Sequence, residues 1–388
     1  MAASDEPGRR QRLADLIAEQ PEELRAILED AARPRGPSDP KRHHHVPQFY
    51  LKRFAQKDGP AHRIATVPLD TPDRARVGSV ADTAVISEFY TVVNEDDADS
   101  LVVERLLARV EAESKAPLER LAAGVLFPPQ PLDRHQLSLF FALQWARGPH
   151  IRRAMEAAAD IATKMQMSVV ATEESVRRQL KERDGADPSR EEVAAVLDWI
   201  RDERRWESAL PQNEFVAMML DHALTVAPKL FQRYWTVVRY PEDGLVICDA
   251  PLALYVHPEN REPFRGVGIG TADEVNVPLD RRTLLVMHHD GAIGNRVIDA
   301  PGQDVDDCNQ LLVSGARQEV YAHPDDVWRL RRVELPDPEA PLFQLHGGAW
   351  LGALPDGINS PPERRRPRRY SASRRSAPPD GDNRSRQM

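Results

Sequence analysis

Two cysteines, Cys248 and Cys308, are all that the 388 residues carry. That is too few for a disulfide framework or a four-cysteine zinc site, so both are expected to be reduced and buried. No apolar run approaches the roughly 18 residues that a membrane helix needs, and no membrane partner is expected. The opening Met1-Ala2-Ala3-Ser4-Asp5-Glu6 has neither the basic patch nor the apolar stretch of a signal peptide, so a cytoplasmic location is the expectation by elimination. Common catalytic signatures are missing as well: there is no Walker loop, no Gly-x-Ser-x-Gly elbow, no His-Glu-x-x-His and no Cys-x-x-Cys pair. Neither the lysine-bearing core of a restriction-type nuclease nor the Arg-to-His spacing of a small helical ribonuclease is present. Enzyme classes that depend on those motifs are excluded. Catalysis by a less familiar constellation is not.

What is present is an ordinary globular balance, 41% hydrophobic and 29% charged, in a chain long enough for two or three compact units. Its 33 prolines crowd toward the termini and between helical patterns, marking hard element boundaries. The net charge of -9 is uneven. Residues 361–388 hold nine arginines against Glu363, Asp380 and Asp382, a local +6 that leaves -15 for the rest. An acidic body does not suit a surface that tracks phosphates, so any nucleic-acid contact is expected only through this tail.

Residues 1–40 read as two short helices and a Pro-rich linker, with Pro21 at a first-turn position. Residues 41–335 read as one globular region: a partly β stretch over 64–93, a helical block over 98–228, a β-rich part over 232–300 and a late helix over 304–322. Within the helical block Leu101, Val102, Leu106, Leu107 and Val110 recur at helical spacing. Pro131 opens a further helix, and Ser189 with Glu192 forms a capping box. A helix carrying Phe215, Met219 and Val226 should end or kink near Pro228. Tyr234–Arg239 and 245–248, separated by Pro241-Glu242-Asp243-Gly244, read as a hairpin. Further strands are expected at 275–279 and Thr283–His288, with a hairpin end at His288-His289-Asp290-Gly291. Gly266-Val267-Gly268-Ile269-Gly270 lacks the setting of a dinucleotide loop and reads as a flexible connection. Residues 355–388, rich in Pro, Ser and Arg, are expected to be disordered. The fold class is α+β: a predominantly helical block followed by a small, mostly antiparallel sheet that a late helix covers.

One segment is more specific. His44-His45-Val46-Pro47-Gln48-Phe49-Tyr50-Leu51 with Phe54 resembles the opening signature of domain-of-unknown-function family 4238, a bacterial family with no assigned activity. That signature runs histidine, aromatic, aliphatic, proline, two further residues, tyrosine, leucine and a later phenylalanine. His44 takes its first position, and His45 stands where an aromatic is usual. Further matches follow in order. Glu88-Phe89-Tyr90 is similar to the family's short Phe-Tyr element, Glu104 and Glu111 to its Glu-bearing helix, and Gln144 and Arg147 to its Gln-x-x-Arg helix. Cys248-Asp249-Ala250-Pro251 resembles its Ser-Asp-x-Pro strand end with Cys in place of Ser, and Asn309 and Tyr321 resemble positions of its last helix. The resemblance spans about residues 43–322. It implies a set of candidate site residues and no reaction.

The residues themselves leave alternatives. In an extended segment His43 and His45 project to one side and His44 to the other, so the three cannot easily ligate one ion. One histidine joined by Asp249 or a glutamate could hold a divalent metal, or His44 could hydrogen-bond backbone to fix the Pro47 turn. Glu104 and Glu111 lie two helical turns apart on one face, about 10 Å along the axis; they flank a ligand, or they form a solvated face near Arg105 and Arg109. Gln144 and Arg147 are i,i+3 on a helix otherwise carrying Phe140, Phe141 and Trp145. An arginine there needs an anionic partner, because burying it unpaired is costly; Asp249, an acidic substrate or a structural ion pair would serve. Asp249 ends the apolar run Leu245-Val246-Ile247, where rigid backbone presents a carboxylate at a rim, unless it caps the next turn.

Two functions follow. In the first the protein is a hydrolase of an anionic, for example phosphate-containing, substrate. His44 and Asp249 then act as catalytic groups or hold a divalent metal, Asn309 orients, and Gln144, Arg147 and Tyr50 bind substrate. In the second the protein is a ligand- or protein-binding module without catalysis, and the same polar residues brace its core.

Overall fold

The computed structural model describes residues 42–93, 99–100, 102–125, 127–262, 266–300 and 305–338. The helices expected within 1–40 and the arginine-rich tail 355–388 lie outside these residues. All described residues fall in one compact unit, 1–354.

The chain enters through a short strand, Arg42–His44, paired antiparallel with Val85–Ser87. Pro47 then caps the helix Gln48–Leu51, and its carbonyl accepts the N–H groups of Tyr50 and Leu51. This turn drives Tyr50, Leu51 and Phe54 into the interior, where all three are fully buried.

The helical block comprises Val102–Ala123, Pro131–Ala146, Pro149–Val170, Glu173–Asp184, Arg190–Arg201 and Gln212–Gln232. Local sequence sets its starts. Pro131 and Pro149 each open a helix at a position whose N–H has no intrahelical partner. Thr172 with Ser175 and Ser189 with Glu192 form reciprocal capping boxes. Pro131–Ala146 is the central helix, packed against both Val102–Ala123 and Gln212–Gln232. Its Phe140 and Phe141 join Tyr50, Phe215 and Trp235 in the main core, each such side chain stabilising the fold by about 1.5–3 kcal/mol through burial. Glu173–Asp184 and Arg190–Arg201 share a smaller core of Val176, Leu180, Val193, Leu197 and Ile200. The helix does not end at Pro228, for Gln212–Gln232 runs through it. The carbonyl that loses its partner belongs to Leu224, whose side chain is 64% exposed, so the free acceptor lies on the wet face of the helix.

Two five-stranded sheets complete an α+β fold with mostly antiparallel pairing. The first has the order Ala253–Tyr255, Glu274–Pro278, Thr283–His288, Tyr234–Arg239, Arg296–Asp299, and only the last pair is parallel. The second runs Gln56–Asp58, Ala61–Pro68, Glu319–Ala322, Ile247–Cys248, with Arg76–Ser79 also paired to Ala61–Pro68. The helix Val305–Val313 packs on strands of both sheets.

Three local expectations are corrected. Tyr234–Arg239 and Ile247–Cys248 do not form a hairpin; they belong to different sheets, and 241–244 is the crossing between them. Gly244 makes that crossing possible at φ +146°, where a Cβ would fall 2.4 Å from Arg329 Nε. The late helix stops at Val313, and Val320 and Tyr321 lie in the strand Glu319–Ala322; Gly315 breaks the helix, and the β-branched and aromatic residues beyond it suit a buried strand. The chain does turn at Asp290, whose carboxylate accepts from Ala292 N–H, but it leads to a parallel strand on the far side of Tyr234–Arg239 rather than back along Thr283–His288. The 266–270 segment is held, since Ile269 and Ala272 carbonyls accept from the Arg233 guanidinium. Among the described residues no helix is long and apolar enough to cross a membrane.

Candidate functional site

The histidine strand lies at the join between the helical block and the segment 84–90, whose Val85–Ser87 strand pairs with it. His43 is fully buried; its Nδ1 accepts the Tyr90 N–H at 2.9 Å, and its ring stacks on that of Tyr90. With Nδ1 accepting, the neutral ring carries its proton on Nε2, which lies 2.8 Å from Glu104 Oε2 at angles outside those of a hydrogen bond. The facing loop is held in a costly form: Ala84 and Glu88 are left-handed, at φ 57° and 55°, each at a cost of about 1–3 kcal/mol. Ala84 uses that conformation to present its carbonyl to the His45 N–H at 3.0 Å.

His44 is only partly buried, with its Nε2 inaccessible and without a hydrogen-bond partner. Burial lowers its pKa, while a hydrogen bond to the Ala81 backbone and the nearby carboxylates of Glu111 and Glu104 act in the opposite direction. His45 is 3% exposed, and neither ring nitrogen has a partner. Burial first, then Arg147, His44 and His150, bring its pKa down to about 3. It is a neutral imidazole at neutral pH.

A polar relay fixes the cluster from the helical side. The Gln144 amide donates to the His45 carbonyl at 2.8 Å and accepts from Arg147 Nη2 at 2.7 Å. Arg147, 1% exposed at the end of Pro131–Ala146, donates from Nη1 to Glu111 Oε1 at 2.6 Å. Glu104 and Glu111 are thus turned inward, not a solvated face, although each side chain keeps about a quarter of its surface open. Of the partners left open for Arg147, the structure shows an ion pair with Glu111. Tyr90 places a buried hydroxyl beside Arg147 without hydrogen-bond geometry, and burial pushes its pKa well up.

On the far side stand His150 and Arg153, at the start of Pro149–Val170, with Asp249 and Arg317. His150 feels Arg317 and Arg153, and Asp249 feels Arg153. Asp249 is fully buried, and its two oxygens accept the backbone N–H groups of Arg317 and Gln318 at 2.9 and 3.0 Å. Burial raises its pKa to about 6 against the pull of those two bonds and of Arg153. Cys248 next to it is free, buried and far too basic to be a thiolate.

The remaining candidates are placed elsewhere. Tyr50 donates its hydroxyl to the Pro278 carbonyl at 2.5 Å, deep in the core. Asn309 accepts the Val246 N–H at 3.0 Å and donates to the Gly244 carbonyl at 2.9 Å, clamping the crossing between the sheets. Tyr321 donates its hydroxyl to Glu319. Among the described residues no group of three or more His, Cys, Asp and Glu side chains is arranged to hold a metal ion.

The fold and the site define an α+β protein with a buried histidine–arginine–carboxylate cluster at the junction of its helical block and an N-terminal strand. The family described as protein of unknown function (DUF4238) matches residues 42–326, and the chain belongs to it. No curated protein and no solved structure matches the chain. Within the matched span the His44 signature, Tyr90, Glu104, Glu111, Gln144 and Arg147 come together. His150, Arg153 and Arg317 were missed. The first two lie three and six residues past Arg147, in the helix that opens after the Gly-Pro junction; Arg317 had no signal.

Proposed function

We propose that the protein is a hydrolase of an anionic substrate, with His44 as the general base. The observation that carries this reading is the partly buried His44 ring, whose Nε2 is closed off without a partner while Glu111 and Glu104 act on it electrostatically. In this reading the site opens to admit water to Nε2, and the neutral imidazole takes a proton from it as the water oxygen attacks the substrate. Glu104 and Glu111 stabilise the imidazolium that forms, because opposite charges in a poorly solvated site interact strongly. The Tyr90 hydroxyl and Arg147 Nε are buried without partners, and once the site opens they are the donors for negative charge developing on the substrate. His43 and Gln144 position these groups.

A second reading is favoured by Tyr50, Asn309 and Asp249, whose polar atoms serve the backbone as braces do. In it the cluster orders a groove that binds a ligand without transforming it. The purified chain, assayed against chromogenic phosphate monoesters, phosphodiesters and carboxylic esters, separates the two. The hydrolase reading expects turnover of one class, lost in His44→Gln at an unchanged melting temperature. No turnover of any class, with His44→Gln melting early, would favour the binding module.

A further inference from the structure

We propose that Glu274 anchors a binding site for a primary ammonium group, on the face of the first sheet turned away from the main core. The site does not depend on the hydrolase reading. Alternation along the strands fixes which side chains share that face. Val275, Val277, Leu285, Met287, Trp235 and Val237 enter the main core, so Glu274, Asn276, His288, Tyr234 and Thr236 stand on the other side. Register then sets one row across four strands: Tyr255 is paired with Glu274, Glu274 with His288, and His288 with Tyr234.

Measured contacts join the members of the row. His257, just beyond the edge strand, meets the Tyr255 ring edge-on at 5.0 Å and brings its Nε2 to 3.7 Å from Glu274 Oε1. At the other end the His288 ring stacks on Tyr234, and its Nε2 lies 3.0 Å from Thr236 Oγ1. The hydrogen bonding is nonetheless incomplete. Asn276, 1% exposed and two residues along the strand from Glu274, has an unpartnered Nδ2; His288, 6% exposed and directly across from Glu274, has an unpartnered Nδ1. The Glu274 side chain keeps 22% of its surface open, and among the described residues its ion-pair contact is the long one to His257.

Neighbouring charges do not complete this carboxylate. Arg233 directs its Nη donors to the carbonyls of Ile269, Ala272, Asp273 and Met287. Asp273, which accepts the His257 N–H and Asn260 Nδ2, adds a second negative charge beside Glu274. A carboxylate drawn this far out of water without a cation is costly. Burial raises the Glu274 pKa accordingly, against the pull of His257 and the Asn276 amide. The geometry also selects the cation. With Oε1 turned to His257, a planar guanidinium fork lacks its second oxygen, whereas an ammonium is a compact point charge that one oxygen serves. Tyr255, the cross-strand neighbour on the same face, adds an aromatic ring, which attracts a cation. The site therefore takes a primary amine in its charged form, either a free polyamine or the side chain of a lysine.

Isothermal titration of the full chain near neutral pH with n-butylamine, which is protonated there, and with n-butanol tests this. The amine should bind, and the alcohol at least tenfold more weakly. Glu274→Gln should weaken amine binding at least tenfold without lowering the melting temperature, since it removes a buried charge that has no cation beside it. Glu182→Gln, the same charge change at an exposed position, should leave binding as it is. Tyr255→Leu should weaken binding about threefold or more, and it carries the test if Glu274→Gln does not fold. Putrescine bound more tightly than Nα-acetyl-lysine amide assigns the site to a free polyamine; the reverse order assigns it to a lysine side chain. Absent amine binding, the alcohol bound as tightly, or a folded Glu274→Gln or Tyr255→Leu that binds like the wild type would overturn the proposal.

Discussion

Arg147 Nη1 lies 2.6 Å from Glu111 Oε1, joining the end of one helix to the middle of its neighbour, and the guanidinium is 1% exposed while the carboxylate is about a quarter open. The pair and its Gln144 extension reach the backbone of His45. Through them the packing of two helices sets the position of the histidine strand.

Glu111→Gln leaves a buried guanidinium without its counter-charge. Removing one partner of a buried pair costs about 3–5 kcal/mol, and the partial exposure of Glu111 places the expected loss at the lower end. Urea unfolding measures it; a loss below about 1 kcal/mol would mean that water takes over for the carboxylate.

Asn309→Ala orphans the Val246 N–H and the Gly244 carbonyl together. Each unsatisfied buried group costs about 1–3 kcal/mol, so a clear drop in unfolding free energy is expected, with activity per folded molecule unchanged. Lost turnover in a variant of native stability would return Asn309 to the reacting groups.

Acid stability should show two opposed contributions. His45 titrates near 6.5 when unfolded and near 3 when folded. The unfolded chain therefore binds the proton first, and the contribution of His45 is present above about pH 6.5 and is lost as the pH falls toward 3, with a slope of up to about 1.4 kcal/mol per pH unit. Asp249 runs the other way. Its folded pKa of about 6 exceeds the ordinary 3.8, so its contribution is present below about pH 4 and is lost as the pH rises through 6. In unfolding curves between pH 4 and 8, His45→Gln should flatten the loss on acidification and Asp249→Asn should steepen it. Slopes of the reverse sign would contradict the assigned protonation states.

What could be read from the sequence is what local chemistry decides. Pro131, and Ser189 with Glu192, announce helix starts through backbone groups a few residues away, and the structure places helices there. The strand Glu319–Ala322 was hidden because its partners are Ala61–Pro68 and Ile247–Cys248, distant in sequence. The same distinction holds in the cluster. Gln144 and Arg147 stand out as polar residues on an apolar helix, which shows that Arg147 needs an anion; that the anion is Glu111 depends on how two helices pack. Asp249 could be recognised as a buried strand-end carboxylate, but not that two backbone N–H groups from 317–318 would meet it.

The most direct test of the hydrolase account is the turnover rate of His44→Gln beside the wild type, on whichever ester the protein cleaves, with both melting at the same temperature. Removal of the base should slow hydrolysis by roughly 10²–10⁴-fold with little change in KM. A folded variant that hydrolyses as fast as the parent would contradict it.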